Sequence, residues 1–574
     1  MRKILGVHCG HDSAAALVID GQIVADAAEE RFTRVKNDSS FPLNAIQFCL
    51  EYADIDPSDI DALAIPSIYM RDSIRTFFDI PEEVLPAERR PLKSRLKRGL
   101  LDLVPSLKSG TTTLPLYQKP IPLSQRCQIF LIDHHKAHAA SAYYTSGLNT
   151  ELTLVVTMDG AGDKTSLCIW KGEKNRLTPL EQWGPDASLG WFYSNCTEAL
   201  DWRHGSDEWK VMGLAPYGTP KPGTLKGFHP EFKDGQLIIP HRYGKSGSWL
   251  DHGAYHFHFD EARELRQIAE RLGRDNFAAE TQRVFEEQVD NIVLPWLGRL
   301  NTRHFCGAGG SFLNVKANQK IWYSRKLDTH WVYPNPGDAG LAVGAALCAY
   351  YERYPEARHD YLQHVYFGPE YSNEYIQKLL DERGIEYEYA ENPSVVAAKY
   401  LAANKIIGWF QGRMESGPRA LGNRSILMSP LRAENKDIIN ACVKYRERFR
   451  PFCPSLLYEK SSDYLVNGRD ERFMITSFDV VPGKQERIPA VVHVDKTARP
   501  QMVCREINSW YYDLIKAFGD MTGEYVILNT SFNIKGEPIV CHPREAIRCF
   551  YDTGLDVLIM GNYVISKKRT IHKL

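Results

Sequence analysis

Two histidines four residues apart carry the sharpest chemical signal in the sequence. Asp133-His134-His135-Lys136-Ala137-His138 leads into the small-residue run Ala139–Ala142, a pattern that predicts a helix. On a helix, positions i and i+4 share a face, so His134 and His138 present two imidazoles to one point. His135 falls about 100° around the helix and need not join them. Two imidazoles at this spacing suit a divalent transition metal whose other ligands are carboxylates and water. A hydrogen-bonded pair without metal is the alternative that spacing alone leaves open. Asp159 and Asp338 are the candidate oxygen ligands, each in a glycine-bearing segment.

Asp338 belongs to Asn335-Pro336-Gly337-Asp338-Ala339-Gly340, ahead of the small-residue helical run Leu341–Ala349. Such a bend gives backbone room and places a carboxylate beside a positive helix N-terminus. Upstream, Cys306-Gly307-Ala308-Gly309-Gly310-Ser311 offers amides that can approach phosphates or an adenosine, although ordinary turns use the same residues. With Asp159-Gly160-Ala161-Gly162, these segments make the nucleotide-contacting candidates Asp159, Gly160, Gly162, Gly307, Gly309, Gly310, Asn335 and Asp338.

A second chemistry lies further along. Gly412–Ser425 places Arg413, Arg419 and Arg424 among glycines, and Lys444-Tyr445-Arg446-Glu447-Arg448-Phe449-Arg450 alternates cations with aromatics. Arg499 follows in His493–Pro500, and Asn529-Thr530-Ser531-Phe532-Asn533 ends an apolar strand with short polar side chains. Guanidinium forks match phosphate oxygens, so the set predicts a site for a small polyanion on a strand or loop.

These groups need elements to hold them. Ile4–Val7, the bend Cys9-Gly10-His11-Asp12, Ala14–Ile19, the turn Asp20-Gly21 and Ile23–Ala27 read as a strand, a loop and a hairpin. Leu152–Thr157, the bend Asp159–Asp163, Ser166–Trp170 and the turn Lys171-Gly172 repeat that unit. Duplicated strand–loop–hairpins of this kind open the halves of actin-like ATPase folds, where two loops face a nucleotide cleft. Residues 353–372 read as a linker. A separate α/β unit follows, with helices Asn373–Arg383 and Pro393–Asn404 and strands Ile406–Phe410, Tyr525–Leu528 and Val557–Met560. The dense basic run from Arg89 to Arg98 reads as a solvated helix face, with a lid over an anion as the minor alternative.

Composition bounds the class. The 574 residues suggest about three or four domain-sized units, 43% hydrophobic and 25% charged as in ordinary globular proteins. Seventy basic against seventy-one acidic residues give a net charge of -1, which argues against a general nucleic-acid binder. No apolar run is long enough to span a membrane, and Ile4–Val7 is too short for a secretory signal. The twelve cysteines form no C-x-x-C pair and are expected to be buried and reduced, in a cytoplasmic protein.

Ten segments in order resemble the family of O-carbamoyltransferases that includes the nodulation-factor, cephamycin and tobramycin enzymes. They are HDSAAALVIDG (11–21), EERFTRVK (29–36), DHHKAHAASAY (133–143), MDGAGD (158–163), KVMGLAPYG (210–218), NPGDAG (335–340), GRMESGPRALGNRSIL (412–427), VKYRERFRPFCPS (443–455), HVDKTARPQ (493–501) and NTSFNIKGEPIV (529–540). The resemblance spans essentially the whole chain. It implies an α/β protein with an actin-like, two-lobed transfer domain over 1–352 and a YrdC-like activating domain over 373–574. In the latter, carbamoyl phosphate and ATP, with Mg2+, would give carbamoyl-adenylate. In the former, the carbamoyl group would pass to a hydroxyl of a small acceptor, assisted by Fe2+ or another divalent transition metal.

The resemblance also implies residue roles. His134, His138, Asp159 and Asp338 would hold the metal. Arg419, Lys444, Arg450, Arg499, Ser531 and Asn533 would hold carbamoyl phosphate and ATP. His11 would be the general base, a near-neutral imidazole, with Lys36 beside it and Arg419 and Lys444 acting in adenylation. No nucleic acid or membrane partner is implied, and a homodimer is compatible with it. Three positions depart from the usual pattern: Trp209, Phe312 and Ser416. Trp209 and Phe312 are candidates to reshape the acceptor or nucleotide pocket. Aromatics within 191–209 and 243–258 could line the acceptor site, though such residues more often pack. Two other readings remain at this stage: an actin-fold metabolite kinase, and a non-catalytic ATP-binding partner in tRNA modification.

Overall fold

The computed structural model describes residues 2–80, 119–251, 254–324, 327–447 and 449–567. The basic run Arg89–Arg98 lies outside them, as do His252 and the side chains of Trp249, Tyr255 and His256.

Two five-stranded sheets repeat one topology. In the first, the order is Gln22–Ala28, Ala14–Ile19, Lys3–His8, Ala62–Ile65, Gln128–Leu131. In the second it is Arg176–Trp183, Thr165–Glu173, Thr153–Gly162, His304–Ala308, Thr329–Val332. Each sheet joins an antiparallel three-stranded meander to two strands parallel with its first. We call them lobe I and lobe II. Their repeated order is the one expected of an actin-like arrangement.

The hairpins close where the backbone turns left-handed. Asp20 and Gly21 have φ of 49° and 83°, as a two-residue turn in a right-twisted hairpin requires. In lobe II the expected turn at Lys171-Gly172 is displaced. Both residues pair within the sheet, and the turn falls on Lys174-Asn175, with φ of 50° and 55°. The expected bend over Asp159–Asp163 is likewise strand as far as Gly162. A register shift between Met158 and Gly162 frees Asp159 from regular pairing before the strand turns back at Asp163-Lys164.

Between the lobes, the helices His134–Tyr143 and Leu341–Arg353 pack face to face. Their runs of alanine and glycine permit very close approach. A Cβ on Gly344 would lie 2.0 Å from the carbonyl oxygen of Ala137. One apolar cluster joins Ala137–Ala142 and Leu341–Ala349 to Ala14 and Val18 of lobe I and Val155 and Cys306 of lobe II. The first histidine helix is thus clamped by the core on all sides.

Residues 354–372 contain no helix or strand, yet they are fastened down. His359, Val365 and Phe367 are buried, and bridges join Ser146 to Tyr361 and Tyr366 to Glu415. Beyond them lies an eight-stranded mixed sheet. Its order is Glu388–Tyr389, Tyr563–Ser566, Val557–Met560, Ile407–Phe410, Arg424–Met428, Val526–Ser531, Cys453–Leu457, Gln501–Val503. Helices Pro393–Ala402 and Ser509–Thr522 cover one face through Leu401, Leu514 and Phe518; Asn373–Glu382 and Pro543–Asp552 contribute Leu380 and Phe550 to the other core. The chain is therefore a mixed α/β protein. Nine cysteines are buried, but Cys9 and Cys504 are partly exposed and Cys442 is exposed, which corrects the expectation that all would be buried. Among the described residues no helix is long and apolar enough to cross a membrane.

Candidate active site

Four side chains from three elements converge at the lobe interface. His134 opens its helix, where Asp133 caps the Lys136 N–H at 3.0 Å and Asp163 accepts from the His134 N–H at 3.1 Å. His138 follows one turn later. Asp159 comes from the irregular strand of lobe II, and Asp338 from the bend before Leu341–Arg353. One ligand atom from each of His134, His138, Asp159 and Asp338 lies within 4.8 Å of every other. Nε2 of His138 is 3.1 Å from Asp159 and 3.6 Å from Asp338; Nε2 of His134 is 3.6 and 3.7 Å from the same carboxylates.

The electrostatics are those of a cation site. Burial disfavours the charge on His134, but the nearby Asp159 and Asp338 carboxylates outweigh it and raise its pKa to about 9. The same imidazoles hold Asp159 well below the usual carboxylate range against its burial. His134 Nε2 is buried and makes no hydrogen bond, standing 3.6 and 3.7 Å from the two carboxylates, a spacing that a shared cation between them would suit. Two imidazoles and two carboxylates fit a divalent transition metal. His135 points elsewhere: its ring bonds Thr157 Oγ1 at 2.9 Å and the Thr165 carbonyl at 3.0 Å, and burial drives its pKa to about 3.

His11 stands in the bend after the first strand. Asp12, at φ 58°, turns its carboxylate to 3.0 Å from His11 Nδ1 and also accepts from Asn37 at 2.8 Å. Burial opposes the charge on His11, yet the Asp12 charge and hydrogen bond raise its pKa to about 9. This departs from the expected near-neutral imidazole: Asp12 favours the imidazolium and fixes the ring's orientation, leaving Nε2 facing the cavity near Gly205. Lys36 lines the same cavity. His8 was missed by sequence reasoning. Its Nε2 bonds the His11 carbonyl at 3.0 Å and lies 4.0 Å from Asp338. The only sequence signal was its place at the strand end next to the bend.

The C-terminal unit supplies a dense cationic wall. Lys444 ends a π-turn and donates to the Ser531 carbonyl, the Asn533 carbonyl at 2.9 Å and Asn533 Oδ1 at 2.8 Å. Ser531 Oγ donates to Asn533 Oδ1 at 2.7 Å. Burial, with Arg446 and Arg450 nearby, holds the Lys444 pKa well below its ordinary value. Burial and Arg499 lower Arg419 to about 9, and its Nε has no partner. Burial and Arg450 lower Arg446 to about 9 as well. Arg499 directs Nε and Nη2 to Cys453 Sγ at 3.1 and 2.9 Å. Burial is the larger cause in each case and the neighbouring cations add to it. Arg446 belongs to this set although sequence reasoning did not select it; its alternation with Lys444 and Arg450 was the available signal.

The other two arginines of the 412–425 segment are structural. Arg424 is fully buried and donates to the carbonyls of Gln411, Gly412, Asn423 and Pro369. Arg413 donates to the carbonyls of Val24, Phe367 and Gly368 and lies over the Tyr52 ring. Glu415 accepts from the N–H groups of Leu421, Asn423 and Arg424, which shapes the loop that carries Arg419.

One cavity of about 1060 Å³ runs from His11, Asp159 and Asp338 to Arg419, Lys444, Arg450, Arg499, Ser531 and Asn533; His134 and His138 stand behind the two carboxylates and do not line it. Gly160, Gly310 and Asn335 also line it. Gly162, Gly307 and Gly309 do not. Their missing Cβ positions are taken by the His134 ring, the Phe312 ring and the Met158 main chain, so they serve the protein's own packing. Phe312 itself is core, whereas Trp209 lines the cavity with Trp191, Tyr193 and His204. Trp202 and Tyr243 pack outside it. The C-terminal unit is docked by Arg31, which donates to the Gly417 carbonyl at 2.9 Å, and by Arg34, which donates to the Pro538 and Ile539 carbonyls at 2.7 Å.

Two family models match the chain. Residues 3–347 match the family described as carbamoyltransferase N-terminus, and residues 398–567 the family described as carbamoyltransferase C-terminus. Nodulation protein NolNO of Sinorhizobium fredii is 37% identical over 98% of this chain and 79% of its own length. An uncharacterized protein of Synechocystis sp. is 35% identical over 99% of this chain and 97% of its own length. Among solved structures, HypF of T. kodakarensis aligns with 62% of this chain and 49% of its own at 12% identity, with a TM-score of 0.33.

Proposed function

Because this chain belongs to the carbamoyltransferase family, we propose that it is an ATP-dependent O-carbamoyltransferase working in two half-sites of one cavity. The activating half-site lies in a YrdC-like unit over 373–574, joined through 353–372 to an actin-like transfer unit over 1–352. The observation that carries the reading is the continuity of the cavity between the cationic wall and the Asp159 and Asp338 carboxylates of the cluster. An activated intermediate made at one end reaches the other without leaving the protein.

In the first step, carbamoyl phosphate, water and Mg2+-bound ATP give carbamoyl-adenylate, phosphate and pyrophosphate. Arg419, Lys444, Arg450 and Arg499, with Ser531 and Asn533, bind the anions, and their fixed charge stabilises what develops on the transferring oxygens. Nucleotide in the transfer half-site lies against Gly160, Gly310 and Asn335. In the second step, the acceptor hydroxyl attacks the carbamoyl carbon and AMP leaves. His11 takes the hydroxyl proton at Nε2 after losing its own, while Asp12 orients the ring and stabilises the imidazolium that forms. Lys36 offers a charge to the departing adenylate. Fe2+ or another divalent transition metal held by His134, His138, Asp159 and Asp338 would supply Lewis-acid polarisation of the carbonyl.

The product analysis decides between mechanisms. With carbamoyl phosphate, ATP and a panel of hydroxylated metabolites, the reading expects a carbamate ester on an acceptor together with AMP and pyrophosphate. Release of ADP overturns the adenylate route, and a phosphorylated acceptor establishes the kinase reading, which leaves the cationic wall without a role.

A further inference from the structure

Arg450 is held from across the cavity rather than by its own unit alone. Its guanidinium lies 3.9 Å from the ring centroid of Trp209, which belongs to the lobe II helix Glu208–Leu214. Its Nε is 2.7 Å from Glu447. Lys210, next to Trp209, pairs with Asp207 at 2.8 Å and approaches Glu447 at 3.9 Å. The Trp209 ring is fixed in turn by its Nε1, which donates to the Ser206 carbonyl at 2.9 Å. Arg450 is buried, at 7% exposure, beside Lys444 and Arg446, two cations that repel it. The π face and the carboxylates of Glu447 and Asp207 are what offset that repulsion.

We propose that Trp209 is a positioning residue for Arg450, so that lobe II sets the anion affinity of the C-terminal half-site. The inference rests on the reading of Arg450 as part of the carbamoyl-phosphate and ATP site. A tryptophan serving only as packing would have its faces in the core, whereas Trp209 is partly exposed and lines the cavity. One segment also borders both half-sites. The segment Gly205–Lys210 that carries the stack begins where Gly205 faces His11 Nε2, in the transfer half-site.

The test is steady-state carbamoyl-phosphate-dependent pyrophosphate release by the full chain. Trp209→Ala is expected to raise the KM for carbamoyl phosphate about tenfold with kcat changed by less than about twofold, and Trp209→Phe to restore most of it. Glu447→Gln, a variant with no core role, is expected to raise the same KM. Adding Trp209→Ala to Arg450→Ala is expected to change nothing further, because both remove one interaction. An unchanged KM in Trp209→Ala and Glu447→Gln, or a full additional loss in the double variant, overturns the positioning role. If the wild-type chain releases no pyrophosphate at all, the adenylating reading beneath the proposal fails with it.

Discussion

The His134 ring occupies the space that a side chain on Gly162 would need: a Cβ there would lie 2.1 Å from His134 Cγ. The glycine next to the lobe II turn is thus a condition for the cluster rather than a ligand contact. Gly162→Ala is expected to swing the imidazole away and weaken metal binding by about 10–100-fold. Metal content after dialysis against defined Fe2+, Mn2+ or Zn2+ measures this, with circular dichroism confirming the fold. Retention of wild-type metal content would show that His134 is not a ligand.

The two helices at the lobe interface make a similar demand. Gly344→Ala forces a methyl group into the Ala137 carbonyl, 2.0 Å from where Cβ would lie, and the histidine helix must shift. The expected destabilisation is about 1–3 kcal/mol, together with reduced metal affinity. A thermal melt with and without added metal reads both. A variant that melts like the wild type and binds metal normally would contradict the clamp.

Asp26 of lobe I predicts a pH effect. It is buried, accepts from Ser416 Oγ, and burial raises its pKa to about 7. Between its ordinary value of about 3.9 and that figure, the folded chain holds a proton that the unfolded chain has released. Stability from this group therefore falls as pH rises from about 4 to 7 and stays low above it. Asp26→Asn is expected to raise stability at pH 8 by on the order of 2–4 kcal/mol and to change little at pH 4. Denaturant melts at the two pH values check it, and an equal change at both would exclude this account of Asp26.

Much of this arrangement was legible before the structure. Alternating apolar runs with Asp20-Gly21 between them specify a hairpin, and its repeat specifies two lobes. The i, i+4 histidines needed only helical geometry. What escaped was whatever depends on the partner rather than on the residue type. A glycine that makes room for His134 reads the same as one that makes room for a phosphate. Arg413, Arg419 and Arg424 look alike in sequence, yet two are spent on main-chain carbonyls. The raised pKa of His11 comes from Asp12, whose left-handed backbone could not be read from a bend. Arg446 and His8 carried weak sequence signals, and what they approach is what identifies them.

That distinction among arginines is testable. Arg446→Ala removes a cation from a self-repelling set, so it is expected to leave the melting temperature unchanged or higher while raising the KM for carbamoyl phosphate or ATP at least about tenfold. Arg424→Met strands several buried carbonyls and is expected to cost about 3–5 kcal/mol of stability. Paired melts and kinetics of the two variants discriminate. Loss of stability in Arg446→Ala comparable with that in Arg424→Met would remove Arg446 from the site.

The central claim is that the C-terminal half-site makes an adenylate, and it can be tested without knowing the acceptor. Exchange of labelled pyrophosphate into ATP, with carbamoyl phosphate present and no acceptor, reports reversible formation of carbamoyl-adenylate. The account predicts exchange that depends on carbamoyl phosphate, is abolished by Arg419→Ala and persists in His11→Ala. Exchange that survives Arg419→Ala, or none in a wild-type chain that still turns over an acceptor, would contradict it.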